Sequence, residues 1–314
     1  MTDSASTRFA CVGGGNVGRA WAIVFARAGF QVSLYDADEE GLSVRSMPAI
    51  QRSLRDLEEA GLLSDAEAVL TRIHVEPSLA EAVANASYVQ ESISENLTAK
   101  RALFRELGEL APWDAILASS TSAIPGSRFM ETLREPGRCL IVHPVNPPYL
   151  IPLVELCPTP WTDPEILDRC RELMTTLGQR PITVQREIPG FVLNRLQFTL
   201  LTEALHLVGE GYCTPEDLDH VLTDGLAMRW AFLGPFGVGH LNATQGFQGY
   251  MDNLGPMMRE LAADARMDYP WDETLVAKIH DSLGDHCPVD EVPERQAWRD
   301  REIMALRRHR KSRE

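Results

Sequence analysis

His143 closes one apolar run, Cys139 to Val142, and Glu155 follows another, Leu153 and Val154, with Pro144, Pro147, Pro148 and Pro152 between them. A carboxylate hydrogen-bonded to one imidazole nitrogen fixes the tautomer and makes the other nitrogen a better base. The two residues are twelve positions apart, so they can form such a pair only if the chain turns back. One continuous helix is excluded, because each proline lacks a backbone donor and clashes with the preceding turn. Strand, ordered loop, strand is the shape that returns Glu155 towards His143. An isolated histidine is more often structural, and Glu155 alone reads as a solvated strand residue. Only their spacing makes them an acid–base candidate.

A second group of residues could hold a cofactor for that base. Arg8 to Val12 is a short apolar stretch that runs into Gly13-Gly14-Gly15-Asn16-Val17-Gly18, then into alanines and large apolar residues up to Ala28-Gly29. Gln31 to Tyr35 alternates and ends on Asp36. This is G-x-G-x-x-G with a strand before it, a helix after it and an acid at the end of the next strand, the setting of a dinucleotide site. Gly13 permits the tight turn, Gly15 a close approach to a pyrophosphate, and Gly18 close packing of helix and strand. The helix N-terminus at Asn16 and Val17 offers amides and partial positive charge to phosphates. Asp36 would accept from the adenosine ribose hydroxyls. Ala37-Asp38-Glu39-Glu40 follow without an arginine, so a 2′-phosphate would meet like charges, and the cofactor expected is NAD.

The elements that position these groups follow from periodicity and punctuation. Leu42 to Ala60 is helical in pattern, Ser64-Asp65-Ala66-Glu67 reads as a capping box, and strands are expected at 72–75, 88–91 and 116–119. Helices are expected over 80–86 and 95–110, and the last strand opens into Ser120-Thr121-Ser122. Alternating strands and helices imply a doubly wound, Rossmann-type parallel sheet, with ligands beyond the carboxyl ends of its strands. Residues 153–156 and 181–184 read as extra edge strands around a helix at 164–177. After Ile188-Pro189-Gly190 the pattern is helical throughout, beginning with a helix from Phe191 to Glu210 that is apolar nearly all round. Such a helix is buried in a domain core or a subunit interface. The expected organisation is an α/β NAD-binding domain over 1–187 and an all-α substrate and dimerisation domain over 188–314.

The whole chain sets the outer limits. Its 314 residues suit two domains. A net charge of −15 argues against nucleic acid as partner. The basic tail from Arg307 to Arg313 reads as a solvated end. No apolar run is long enough for a membrane span, and Met1 to Arg8 has no signal-peptide core, so a cytoplasmic protein is expected. The cysteines at 11, 139, 157, 170, 213 and 287 form no C-x-x-C pair and read as reduced and buried, and no metal site is expected.

The segments 12–19 (VGGGNVGR), 95–104 (ENLTAKRALF), 119–122 (SSTS), 143–156 (HPVNPPYLIPLVEL), 189–197 (PGFVLNRLQ) and 225–235 (GLAMRWAFLGP) together resemble the 3-hydroxyacyl-CoA dehydrogenase family, within it the L-gulonate-oxidising branch to which lambda-crystallin belongs. The resemblance implies His143 as catalytic base, Glu155 as its orienting partner, and Ser122 and Asn194 as contacts to the substrate hydroxyl. It places Asn146 near the cofactor, with Ser122 near the nicotinamide as well, and Glu95 and Lys100 on the nicotinamide-side ribose. Arg229, in GLAMRW, stands where the gulonate branch and the carnitine dehydrogenases also place arginine, and a guanidinium suits a free carboxylate. Residues 37–71 hold three arginines, no lysine and a surplus of acids, which weakens the case for a CoA tail.

Plainer readings stand beside these. Ser122 could cap a helix, Lys100 and Glu95 could be a helix-surface pair, and Arg229 an interdomain salt bridge. Two classes of function result. One is NAD-dependent oxidation of a small 3-hydroxy acid, L-gulonate or a short 3-hydroxyacyl-CoA or carnitine-type substrate, by a homodimer. The other is a non-catalytic NAD-binding protein of crystallin type.

Overall fold

The computed structural model describes residues 8–311. Its sheet has eight strands in the order β3-β2-β1-β4-β5-β6-β7-β8. They are β1 (Arg8–Val12), β2 (Gln31–Tyr35), β3 (Ile73–Val75), β4 (Ala86–Glu91), β5 (Ile116–Ser119), β6 (Cys139–Pro144), β7 (Leu153–Pro158) and β8 (Arg180–Thr183). All neighbours are parallel except β6 and β7. The chain moves outward from β1 to β3, then returns to the other side of β1 for β4. That reversal opens a crevice at the carboxyl ends of β1 and β4, where such sheets take ligands.

Both faces of the sheet are covered, which is why its central strands are apolar runs. In β1, Phe9 and Cys11 join a core with Trp21, Phe25 and Leu34, while Ala10 and Val12 join one with Phe104, Leu117 and Ile141. The helix α1 (Asn16–Arg27) supplies Trp21, Ile23, Val24 and Phe25 to the first core. Trp21 is a packing residue, and its indole N–H donates to Ser120 at 3.2 Å.

Several boundaries differ from expectation for local reasons. The pattern over 42–60 is a five-residue π-helical turn, Leu42–Ser46, followed by an α-helix, Met47–Glu59. Asp65, not Ser64, caps the helix Ala66–Leu70, its side chain accepting from the Ala68 amide. The expected helix 80–86 is Leu79–Val83, and Ala86 already belongs to β4. The expected helix 95–110 begins at Leu97, capped by Asn96, so Glu95 lies in the loop before it. Strand β7 is internal, because β8 pairs along its outer side and alone forms that edge. Of the cysteines, Cys213 and Cys287 are only half-buried. Burial pushes the thiols of Cys139, Cys157 and Cys170 up to about 12, too high for thiolate chemistry.

Residues through Asn194, together with those from Ala297 onward, form one compact unit, and Arg195–Gln296 form a second. Packing carries this first compact unit past the expected division at 187/188, because the amides of Val192 and Leu193 are tied back to Glu155. Of the basic stretch from Arg307 to Arg313, positions beyond 311 lie outside the described residues, and the described part is not simply solvated. It belongs to the helix Val292–Lys311, Met304 is buried in the first core, and Arg307 donates to the Leu150 carbonyl at 2.6 Å.

The second unit is helical, with helices at Pro215–His220, Ala227–Trp230, Pro235–Leu241, Gly246–Asp264 and Glu273–Gly284. The helix Leu193–Gly209 leads into it. Only Val208 of that helix is buried, while Leu196, Phe198, Leu200 and Leu201 are exposed. Among the described residues, its stretch 195–201 is therefore not enclosed in a domain core. Among the described residues, no helix is long and apolar enough to cross a membrane.

Candidate functional site

The antiparallel pairing of β6 and β7 sets His143 directly opposite Glu155. Opposed residues project to the same face of a sheet, and here His143 Nδ1 lies 2.8 Å from Glu155 Oε2. The other carboxylate oxygen accepts from the amides of Val192 at 2.9 Å and Leu193 at 3.0 Å. Those amides are aimed by the turn at Gly190 and Phe191, which have φ of 75° and 49°. Phe191 is fully buried, with its ring centroid 5.5 Å from that of His143. A left-handed conformation in a bulky residue costs on the order of 1–2 kcal/mol, here offset by packing and by the two bonds to Glu155. Burial pushes the Glu155 carboxyl up, but the bonds from His143, Leu193 and Val192 outweigh it and hold it below the usual carboxylate range. The carboxylate is therefore ionised at neutral pH. Its contribution to stability is present above the unfolded carboxyl's pKa and is lost as pH falls through the lower folded value. With Nδ1 committed, Nε2 is the nitrogen that can take a proton.

Strand β5 ends at Ser119 and leads into the Ser122 turn. Glu95 organises that turn from beside it. Its Oε1 accepts from the Thr121 hydroxyl and from the amides of Ser122 at 3.1 Å and Ala123 at 3.0 Å. Burial raises the Glu95 carboxyl, and these bonds with nearby Lys100 bring it below its ordinary value. Asn194 approaches from the other side and donates through Nδ2 to the Ser122 carbonyl at 2.7 Å. The Ser122 side chain is exposed. Ser122 and Asn194 are thus joined, though not through the serine hydroxyl.

Lys100 and Glu95 are not a helix-surface pair. Lys100 is 1% exposed, and its ammonium sits 2.7 Å from Glu91 Oε1 and 3.8 Å from Glu95. Glu91 also accepts from the Ser119 hydroxyl and, at 2.7 Å, from the Ile93 amide. Desolvation dominates at Glu91 and raises its pKa, with Lys100 opposing. Glu91 and Ser119 have no single-residue signature in the sequence, since an acid inside an apolar strand can equally mark a strand end.

The glycine-rich turn fits a dinucleotide. Gly13 has φ of 107°, and a Cβ there would fall 2.6 Å from the Ser92 carbonyl. A Cβ on Gly18 would fall 1.8 Å from the Gly13 carbonyl, so the helix could not sit this close with a side chain. Gly15 faces open space beside the start of α1, where Asn16 and Val17 lie. Next to it a cavity of about 330 Å³ is lined by Gly14, Asn16, Asp36 and Asp38. Asp36 accepts from the amides of Gly14 at 2.6 Å and Asp38 at 2.9 Å, so it also fastens the turn to the end of β2. Arg19 and Arg45 line the same cavity, with Arg45 paired to Asp38. Arg45 lies beyond the 37–40 segment in sequence, and the turn of helix after Glu39 brings it back to this cavity. Its charge is already matched by Asp38, so NAD still fits better than a 2′-phosphate. Replacing Asp36 by alanine removes an acceptor for the ribose and loosens the turn. The expected result is a roughly 10- to 100-fold higher Kd for NAD in a calorimetric titration, from the loss of charged hydrogen bonds. An unchanged Kd would remove Asp36 from the site.

Asn146 and Arg229 are the two other expected site residues. Asn146 is exposed at the start of the loop between β6 and β7. Arg229 lies in the second unit, exposed on the helix Ala227–Trp230. It forms no ion pair among the described residues.

A dinucleotide cradle at the switch point, with a carboxylate-oriented histidine at the carboxyl edge of the same sheet, defines an NAD-dependent dehydrogenase that acts on a hydroxyl group. Residues 8–188 match the NAD-binding domain of 3-hydroxyacyl-CoA dehydrogenase and residues 190–278 its C-terminal domain. The chain belongs to the 3-hydroxyacyl-CoA dehydrogenase family. It is 38% identical over 311 residues to lambda-crystallin of Oryctolagus cuniculus, covering 98% of this chain and 97% of the relative. It is 35% identical to L-carnitine dehydrogenase of Nocardiopsis dassonvillei, covering 98% and 94%. Among solved structures, an NAD+-dependent dismutase, 5-formyl-3-hydroxy-2-methylpyridine 4-carboxylic acid 5-dehydrogenase, superposes with a TM-score of 0.84 at 28% identity, over 96% of this chain and 97% of the other.

Proposed function

We propose that this protein oxidises the 3-hydroxyl of a small free hydroxy acid, L-gulonate, with His143 as the base. The observation that carries the chemistry is the 2.8 Å bond between His143 Nδ1 and Glu155, which leaves Nε2 to accept the hydroxyl proton. Glu155 stays ionised and steadies the imidazolium, as the carboxylate of a triad does. NAD, when bound, supplies the acceptor for the hydride leaving the carbinol carbon. Ser122 and Asn194 hold the substrate oxygen as it gains negative charge. Glu95 serves the nicotinamide-side ribose, and Lys100 supports it from below, because the ammonium is engaged with Glu91. Asn146 lies along the cofactor. The protein acts in the cytoplasm.

A free acid is favoured over a CoA ester on three grounds. The segment 37–71 lacks lysine, the relatives include carnitine dehydrogenases, and the superposing dismutase is named for a carboxylic acid. Arg229 is proposed as the carboxylate anchor. A panel pairing L-gulonate, carnitine and 3-hydroxybutyrate with 3-hydroxybutyryl-CoA tests this. The expected result is turnover of free acids, fastest with L-gulonate, and a KM for the acid raised about tenfold or more in Arg229→Ala, since a charged hydrogen bond contributes 1.5–3 kcal/mol. Turnover of the CoA ester alone would overturn the substrate class, and no NADH from any substrate would favour the non-catalytic reading. A homodimer is proposed from the exposed Leu196, Phe198, Leu200 and Leu201 on one helix, an apolar surface of the kind that marks an interface.

A further inference from the structure

A polar network lies behind the dinucleotide crevice, and none of its side chains belongs to the His143–Glu155 pair. Its centre is the buried hydroxyl of Ser120, the residue that follows β5. The Trp21 indole nitrogen, from α1, lies 3.2 Å from Ser120 Oγ, and Gln90 Nε2, from β4, lies 2.8 Å from it. Ser92 Oγ is 2.9 Å from the same oxygen. Gln90 also meets Tyr88 Oη at 2.5 Å through Oε1 and the Val142 carbonyl at 3.4 Å through Nε2. Trp21, Tyr88 and Gln90 are buried, so these bonds are not shared with bulk water.

The direction of each bond follows from what each atom can do. A carbonyl oxygen only accepts, so the Gln90 atom that faces Val142 is the amide nitrogen, and that nitrogen also donates to Ser120. An indole N–H only donates. Ser120 Oγ therefore accepts from both Trp21 and Gln90, and a hydroxyl has two lone pairs and one hydrogen. Its hydrogen is left for Ser92 Oγ. Ser92 must then accept from Ser120, and its own hydrogen points elsewhere. Among the described residues that hydrogen meets no acceptor.

Ser92 stands where a cofactor would supply one. It follows β4, and its amide donates to the Val12 carbonyl at 2.7 Å, which puts it at the carboxyl ends of β1 and β4. A Cβ on Gly13 would fall 2.6 Å from the Ser92 carbonyl oxygen, and one on Gly18 would fall 3.4 Å from Ser92 Cβ. The half-buried side chain thus lies against the glycine-rich turn and the first turn of α1, the elements that a dinucleotide's pyrophosphate approaches. We propose that the Ser92 hydroxyl binds the cofactor by donating to a pyrophosphate oxygen of NAD, and that Ser120 is the positioning residue that fixes its direction. A serine hydroxyl left free could turn either its hydrogen or a lone pair towards an anionic oxygen, and only the hydrogen attracts it. Ser120 makes that choice before the cofactor arrives, so the donor needs no reorientation on binding. The turn offers backbone amides from the α1 side, and Ser92 adds a side-chain donor from β4.

The test is calorimetric titration of NAD and, separately, of ADP, which carries the phosphates without the nicotinamide half. Ser92→Ala is expected to raise both Kd values about tenfold, the loss of one hydrogen bond to a charged group. Ser92→Cys, whose thiol is a weak donor, is expected to move both in the same direction and serves if the alanine variant does not fold. Ser120→Ala is also expected to weaken NAD binding, and Ser120→Cys replaces it if needed. Because Ser120 acts through Ser92, Ser92→Ala/Ser120→Ala is expected to bind NAD within about twofold of Ser92→Ala alone. Additive losses would overturn the role of Ser120, since a purely structural effect would add. An unchanged Kd for NAD in Ser92→Ala would overturn the Ser92 contact, and a loss with NAD that ADP does not share would overturn the pyrophosphate as its acceptor. No substrate enters the measurement, so its outcome is independent of which hydroxy acid is oxidised.

Discussion

His143→Ala is expected to lower kcat and kcat/KM together by roughly 10²- to 10⁴-fold, the contribution of a positioned general base, while the Kd for NAD stays at its original value. The two halves of this result come from separate parts of the sheet. Gly13, Gly15, Gly18 and Asp36 form the cradle at the ends of β1 and β2, whereas His143 ends β6 two strands beyond β4. The fold should survive the change. Glu155 loses one partner but keeps the amides of Val192 and Leu193, so no buried charge is stranded without donors. Turnover within about tenfold of the original, below the range for a general base, would refute the assignment of His143. A loss of NAD binding would show instead that the substitution had disturbed the sheet.

The pair itself was legible in the sequence because prolines left only one way for the chain to run between His143 and Glu155. The antiparallel β6–β7 register that results puts the residues opposite one another. The cradle was legible for a similar reason: strand, G-x-G-x-x-G, helix and acid are all local in sequence. What escaped depends on residues distant in the chain. Phe191 orients the dyad through a positive φ, and nothing about a phenylalanine codes for that conformation. Arg45 reaches the cavity of Asp36 only because the helix from Glu39 turns through a π-helical segment. The tail from Arg307 looked solvated because its partner carbonyl, on Leu150, is 157 residues away. The helix Leu193–Gly209 has an apolar composition that says it must be covered, but composition does not say whether by this chain or by another copy. In one chain its stretch 195–201 is exposed.

Lys100→Met is expected to destabilise the protein by about 3–5 kcal/mol at neutral pH, the cost of leaving one member of a buried ion pair without its partner. Glu91 is fully buried and has its raised carboxyl opposed mainly by the ammonium 2.7 Å away. Without Lys100 its pKa rises further. An acid whose folded pKa lies above its unfolded one costs nothing at low pH and progressively more as pH rises between the two values. The loss measured by urea unfolding should therefore be larger at pH 8 than at pH 5, roughly the window set by an unfolded Glu near 4.3. Glu91→Gln/Lys100→Met should recover most of the stability, because a neutral amide leaves no stranded charge and can accept from the Ile93 amide through its oxygen while its nitrogen donates to the Ser119 hydroxyl oxygen. If stability were the pair's whole role, that double variant would also recover full activity. Lys100 stands 3.8 Å from Glu95, whose carboxylate gathers Thr121, Ser122 and Ala123 into one turn. With the ammonium gone, Glu95 loses the charge that helps keep it ionised, and the turn holding Ser122 loosens. The double variant is expected to be stable and still slow. Full recovery of kcat would mean that the buried pair only supports the fold.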